Sequence, residues 1–251
     1  MRQGFLPVVC DIPTECPRSR HACNFERSQD VVLIRVLACR ITGDIKVSIM
    51  QHGSARNMVE LNTDQSIWER FYSVFPLVIV GTREPDGADD LAPKHLAMPM
   101  SWKNHFGFVC SPGHRTYQNI AREKKFGVTY VRPDQAVMAS LAASPRCEDG
   151  EKPVIDVLPT QEGNRTAMPL LDGGYLFLEC ELVKFVDDLD ENSLIIGRII
   201  AAQVSKDVLR TSDADDQQLV HDAPLLAYLY PGRFAEIVDS RQMPMPAGFK
   251  R

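Results

Sequence analysis

Ser111, His114, Arg115 and Thr116 crowd a hydroxyl, an imidazole, a guanidinium and a second hydroxyl into one short turn. The residues that follow, Thr116 to Lys125, read as a helix. Ile120 is apolar, and Arg122, Glu123, Lys124 and Lys125 form a solvated end. A helix start leaves backbone N–H groups free and carries the positive end of the helix dipole. An arginine and a hydroxyl at such a start suit a phosphate, the arginine through a planar fork of donors. Asn119 follows one turn on. Taken alone, Thr116 is also simply a helix cap and Arg115 a surface charge.

A second group lies upstream, Leu91-Ala-Pro-Lys-His95, followed by Met100-Ser-Trp102. Pro93 stiffens its strand and removes one donor, which leaves neighbouring amides free to face a ligand. Lys94 and His95 offer positive or polar groups; Met98, Met100 and Trp102 offer apolar surface, although methionines are common in cores. Cys110 with His105 or His114 has the composition of a nucleophile and base, but it closes an apolar strand, which favours packing. The chain holds no G-x-G-x-x-G, H-E-x-x-H or P-loop motif.

These residues need a scaffold, and the sequence between Phe75 and Lys125 reads as strand, turn, strand, strand, turn, helix. Leu77-Val-Ile-Val80 is a β-branched run that Gly81 and Glu84-Pro-Asp-Gly87 break. Leu91 to Met100 reads as the returning strand, held to an edge by Pro93 and Pro99. Phe106 to Cys110 is a third strand. Upstream, Ile67, Trp68, Phe71, Tyr72 and Phe75 recur at helical spacing and predict a helix over 63–75. Downstream, strands are expected at Phe126–Arg132, Tyr175–Val186 and Ser193–Val204, and a short helix at Asp134–Ser144. Leu225 to Leu229 is a last apolar segment. The turn-rich stretch 145–166 is read either as a functional or mobile loop or as a plain insertion.

In this order, Pro76-Leu-Val-Ile-Val-Gly-Thr82, Asp86-Gly87, Leu91-Ala-Pro93 and Arg115-Thr-Tyr-Gln-Asn-Ile120 resemble the flavin reductase-like family. Met168-Pro-Leu-Leu171, Leu178-Glu-Cys-Glu-Leu182 and Tyr230-Pro-Gly-Arg-Phe234 fit the same pattern. The resemblance implies a mainly β fold, an antiparallel Greek-key FMN-binding split barrel with peripheral helices. It implies FMN as cofactor, held by Leu91, Ala92, Pro93, Lys94, His95, Met100, Ser101, Trp102, Ser111, His114, Arg115, Thr116 and Asn119. Family members commonly place a small hydroxyl residue two places after the proline, where this chain has His95. The implied reaction is hydride transfer from NAD(P)H to the flavin in a homodimer, with an electron-acceptor protein or monooxygenase as a further partner. A flavoredoxin-type FMN carrier, a non-catalytic flavin-binding module and an oxidase of a small organic substrate are the competing readings.

Composition agrees with a globular chain. The 251 residues are 44% hydrophobic, enough for a substantial core, and the net charge of −5 gives no field for nucleic acid or anionic membrane. No apolar run reaches the length of a membrane span. The seven cysteines are irregularly spaced, without a C-x-x-C pair, which points to reduced thiols in the cytoplasm. Residues 1–55 read as an N-terminal extension and 56–251 as the flavin reductase-like domain. The segment 1–49 holds four of the cysteines, and 31–49 predicts two short strands around Thr42-Gly-Asp44. Cys10, Cys16, Cys23 and His21 match no compact zinc knuckle, so no metal site is expected.

Overall fold

A computed structural model describes residues 58–211, 215–246 and 248, with a short strand pair nearer the N-terminus. Two compact units divide the chain, Met1–Asn62 and Thr63–Arg251. In the first, β1 (Arg40–Ile41) pairs antiparallel with β2 (Asp44–Ile45). Cys10, Cys16, His21, Cys23 and the polar stretch 51–57 lie outside the described residues.

The second unit is built on one antiparallel sheet of seven strands. Its strands are β4 (Val78–Arg83), β5 (Asp89–Lys94), β6 (Ala97–Ser101), β7 (His105–Cys110), β8 (Lys125–Tyr130), β11 (Leu176–Leu189) and β12 (Asn192–Val204). They stand in the order β5-β4-β8-β11-β12-β7-β6. The two edge strands, β5 and β6, are joined only by His95 and Leu96. So short a link forces the sheet to curl until its edges approach, yet no ladder pairs them. The result is a split barrel. Both prolines of this region, Pro93 and Pro99, stand in the two edge strands, where a missing donor costs least.

Three shorter pieces complete the unit. A second sheet of three strands has the order β14 (Arg233–Ile237), β13 (Leu225–Tyr230), β3 (Ser73–Pro76). The pair β9 (Thr160–Glu162) and β10 (Pro169–Leu171) lies over the main sheet. Helices α1 (Arg115–Glu123), α2 (Ala136–Leu141) and α3 (Asp216–Asp222) are peripheral.

Strand periodicity divides the core by face. Val78 and Val80 join Phe106, Phe108, Phe126 and Ile120 of α1 in one buried cluster. Ile79, between them in β4, joins Leu91, Ala139, Ile155 and Leu171 in the other. Register carries this alternation into β5. Lys94 pairs with Val78 and Ala92 with Val80, so both share the α1 face; Pro93 pairs with Ile79 and shares the α2 face.

Three expectations need correction. Residues 63–75 do not form a helix: a single 3-10 turn covers Trp68–Arg70, and Ser73–Pro76 becomes β3, paired with Ala227–Tyr230. The aromatic spacing there is real, but Trp68 and Tyr72 are exposed and give a helix no buried face. Leu91–Met100 is not one strand but two, on opposite edges of the sheet. Gly81 does not end its strand. It sits inside β4 opposite Gly127, and a Cβ built on it would fall 1.8 Å from the Pro169 carbonyl oxygen. The paired glycines let β10 lie directly on the sheet, where the Leu171 N–H donates to Thr129 Oγ1 at 3.0 Å.

Candidate functional site

The N-terminus of α1 opens onto a cavity of about 530 Å³. His114 is its N-cap in an extended conformation, and no side chain caps the first turn. The His114 N–H is spent on the Ser111 carbonyl at 3.0 Å, and the first intrahelical bond runs from the Gln118 N–H to the His114 carbonyl. The amides of Arg115 and Thr116, both on the cavity lining, therefore have no intrahelical partner, while the Tyr117 N–H is directed at the Cys110 thiol. Ala92, Pro93 and Lys94 of β5 form the facing wall, and the loop 142–146 with Lys152 closes the third side.

The cavity is cationic. Lys94, Arg115, Arg146 and Lys152 line it against one carboxylate, Asp90. Asp90 is buried and binds Arg146 Nη2 at 2.7 Å, with Lys152 Nζ at 3.9 Å. Arg146 also pairs with Glu84 and donates to the Gly150 carbonyl at 2.9 Å. Lys152 Nζ donates to the carbonyls of Leu91 at 2.8 Å and Ala142 at 2.6 Å, which staples the loop to β5. Burial lowers the Lys152 ammonium, with Asp90 pulling the other way. Among the described residues, nothing pairs with the Arg115 guanidinium. Burial and then Lys94 lower the His114 imidazole, so near neutrality it is a hydrogen-bonding group and not a further cation.

On the other face of β5 lies an apolar cavity of about 610 Å³. Leu77, Pro93 and His95 line it with Val137 and Ser140 of α2 and with Tyr228 and Phe234 of the β13–β14 hairpin. The two cavities adjoin, because Pro93 and Ala143 line both. His95 packs among three rings, with centroids 5.5 Å from Phe75, 5.0 Å from Tyr228 and 5.2 Å from Tyr230. Burial, then Lys94, lowers its pKa, so it is neutral in this setting.

Of the thirteen residues that sequence reasoning assembled, six line the cationic cavity: Ala92, Pro93, Lys94, His114, Arg115 and Thr116. His95 lines the apolar one. The others lie elsewhere. The Leu91 side chain is fully buried in the core, and only its carbonyl approaches the site, already bound by Lys152. Asn119 is also buried; it donates to Thr82 Oγ1 at 3.1 Å and accepts from Arg122, holding α1 on β4. Ser111 Oγ accepts from the Gly113 N–H at 3.3 Å and shapes the turn. Met100 packs beside Gly107, Ser101 bonds His105 Nδ1 at 2.8 Å, and Trp102 is 98% exposed.

Arg146 and Lys152 went unrecognised in the sequence reading, as did Tyr228 and the α2 residues. The signal for the two cations was slight: they flank the acidic turn 147–151 in a stretch without periodicity. Cys110 ends β7 with Sγ 3.9 Å from His114 Nδ1. Burial raises its thiol, while Lys94 and the Tyr117 N–H act the other way, so the pair lacks the lowered pKa of a nucleophile. Among the described residues no cluster of His, Cys, Asp and Glu suits a metal, and no helix is long and apolar enough to cross a membrane.

The model of the flavin reductase like domain family matches residues 72–236. No curated protein sequence matches the chain. Among solved structures it is similar to a flavoredoxin from Methanosarcina acetivorans, at 17% identity and a TM-score of 0.61 over 76% of this chain and 97% of that one. It is similar to an FMN-binding protein from Thermus thermophilus with bound p-hydroxybenzaldehyde, at 18% identity and 0.59 over 75% and 99%. A split barrel domain protein from Shewanella frigidimarina aligns at 16% identity and 0.60 over 69% and 87%. At these identities the likeness is one of fold.

Proposed function

The chain belongs to the flavin reductase-like domain family, and from that premise we propose that it binds a flavin across the two adjoining cavities and uses it to oxidise NAD(P)H. One observation carries this reading. A cationic cavity at a helix start and an apolar cavity of ring-holding size meet at Pro93 and Ala143. A flavin phosphate is a dianion joined by a short polyol to a flat tricycle, and it needs both environments side by side. FMN is the smallest flavin that fills them.

The residue roles follow from placement. Arg115, the hydroxyl of Thr116 and the backbone amides of these two residues hold the phosphate. Lys94 and Arg146 add positive charge on either side. Pro93 and the apolar wall of Leu77 and Val137 exclude water from the ring, and neutral His95 offers it a hydrogen bond. The bound flavin supplies the two-electron chemistry, and the protein supplies position and electrostatics. Hydride transfer to a flavin needs no protein acid or base, which accounts for a site without a catalytic dyad.

The test is direct. The purified protein is expected to carry or take up a yellow chromophore and to oxidise NADH or NADPH with added flavin. A bound chromophore with no turnover of either nucleotide overturns the reductase reading in favour of an electron carrier.

A homodimer in the cytoplasm completes the proposal. Leu96, Met98 and Trp102 are exposed along or beside the unpaired edge of β6, a patch that a second copy would cover. Light scattering is expected to give twice the chain mass, and Met98→Lys with Trp102→Lys to return the mass to that of one chain. A wild-type monomer refutes this part.

A further inference from the structure

By charge alone, a carboxylate beside an anion site is out of place. Asp90 of β5 is such a group, with only 3% of its side chain exposed. Its Oδ1 accepts from Arg146 Nη2 at 2.7 Å and has Lys152 Nζ at 3.9 Å. The Thr82 hydroxyl of β4 reaches its Oδ2 at 3.5 Å, and Thr82 Oγ1 in turn accepts from Asn119 Nδ2 of α1 at 3.1 Å. Thr82 and Asn119 are both fully buried. One buried polar chain therefore runs from α1 through β4 and β5 to the loop 142–152, and it ties together the three walls of the cavity.

We propose that Asp90 is a positioning residue for the bound phosphate: it strengthens anion binding, against its own charge, by fixing Arg146 and Lys152 on the cavity wall. The inference rests on the flavin reading above and deepens it. Arg146 stands on a loop, and a long side chain there must be ordered before it can serve a ligand. Its bond to Asp90, with those to Glu84 and the Gly150 carbonyl, does that ordering before the anion arrives. Those bonds use both N–H groups of Nη2 and one of Nη1, so Nε and the rest of Nη1 remain for a ligand. Lys152 is held in place by the carbonyls of Leu91 and Ala142, which an amine can satisfy as well as an ammonium. What Asp90 adds at Lys152 is charge. Burial, and then Arg146 and Lys94, favour the neutral amine there, while Asp90 and, less strongly, Glu84 favour the ammonium. One buried carboxylate is thus exchanged for two placed cations.

The experiment titrates the full chain, freed of flavin and checked for retained β-sheet circular dichroism, with FMN at about pH 7 and about pH 9. Across that range the flavin phosphate stays a dianion, since its second pKa lies at about 6, and His114 stays neutral. Asp90→Asn is expected to weaken FMN binding about tenfold at the lower pH. The loss is expected to deepen at the higher pH, because Lys152 without Asp90 gives up its proton at a lower pH than in the parent. In an Arg146→Met background the same substitution is expected to cost less than about threefold at the lower pH, because the side chain it places is gone. Unchanged or tighter FMN binding by Asp90→Asn overturns this inference and leaves the flavin reading intact, since Asp90 would then act only as an opposing charge. A loss that is equal at both pH values, or that persists in full without Arg146, also overturns it, since the carboxylate would then only brace the fold. Should Asp90→Asn fail to fold, the double variant, in which both partners of the buried pair are removed, is compared with Arg146→Met through the pH dependence alone. Equal pH dependence in those two proteins overturns the inference. If the parent binds no flavin, the flavin reading itself fails, and this inference with it.

Discussion

Replacing Arg115 and Thr116 together by alanine is expected to weaken flavin binding about a hundredfold while the protein stays folded. The guanidinium has no partner to lose within the protein, so its removal leaves no buried charge exposed. What disappears is a charge-assisted contact to phosphate, worth about 1.5–3 kcal/mol, and a hydroxyl contact worth about 1 kcal/mol. Their sum, about 3 kcal/mol, is about two powers of ten in Kd. Thr116 is buried, so a modest loss of stability accompanies the change. Flavin titration by fluorescence, with thermal unfolding run in parallel, separates the two effects. An unchanged Kd in a folded double variant would place the phosphate elsewhere.

Glu179→Ala is expected to be among the most destabilising single substitutions, costing about 3–4 kcal/mol. Glu179 is 3% exposed in β11. Its Oε2 accepts from the N–H of Arg165 at 2.8 Å, the N–H of Thr166 at 2.6 Å and the Thr166 hydroxyl at 2.9 Å. Removing the carboxylate leaves these donors without a partner in a buried turn, and that turn sets up β10 over the sheet. Burial alone would raise the carboxyl, but the N–H groups of Thr166 and Arg165, the Thr166 hydroxyl and the Asn164 N–H outweigh it. Its pKa ends below the ordinary glutamate value.

The sign of the pH effect follows. A folded pKa below the unfolded one stabilises at pH above the unfolded value, and that contribution is lost as pH falls through the folded value. Urea unfolding of the parent is therefore expected to lose this increment below the ordinary glutamate range. Glu179→Gln should lack that part of the acid dependence. Equal acid slopes for the two proteins would mean that Glu179 does not contribute it.

The elements that could be read from the chain are those whose local pattern and tertiary setting agree. Val78 and Val80 against Ile79, and Phe106 and Phe108 in β7, sit in strands buried on both sides, where β-branched and aromatic runs have one outcome. Helix α1 was readable because its apolar and charged residues segregate. Residues 63–75 were misread because spacing reports a possible helix face and not whether anything covers it. Here β13, which ends at Tyr230, supplied a strand partner, and pairing outweighed propensity. The break at His95 was invisible because no turn residue marks it: Lys94, His95 and Leu96 include no Gly, Asn, Asp or Pro. Which edge a strand joins is decided by chain segments far away in sequence.

The site divides in the same manner. Arg115, Thr116 and the Ala-Pro pair are local in sequence and were found as such. Arg146 and Lys152 reach the cavity through bonds to Asp90, Leu91 and Ala142, partners that a loop without periodicity does not announce.

Because β5 turns Lys94 one way and His95, the residue that follows it, lines the cavity on the other side, its length is fixed by the site as well as by the core. Inserting or deleting one residue before Pro93 would exchange the two sides at a stroke, sending the ammonium toward the greasy compartment and the imidazole toward the anion. Divergence in this protein should therefore accumulate as added or lost residues around 147–151, and in this strand only as substitutions that keep the count.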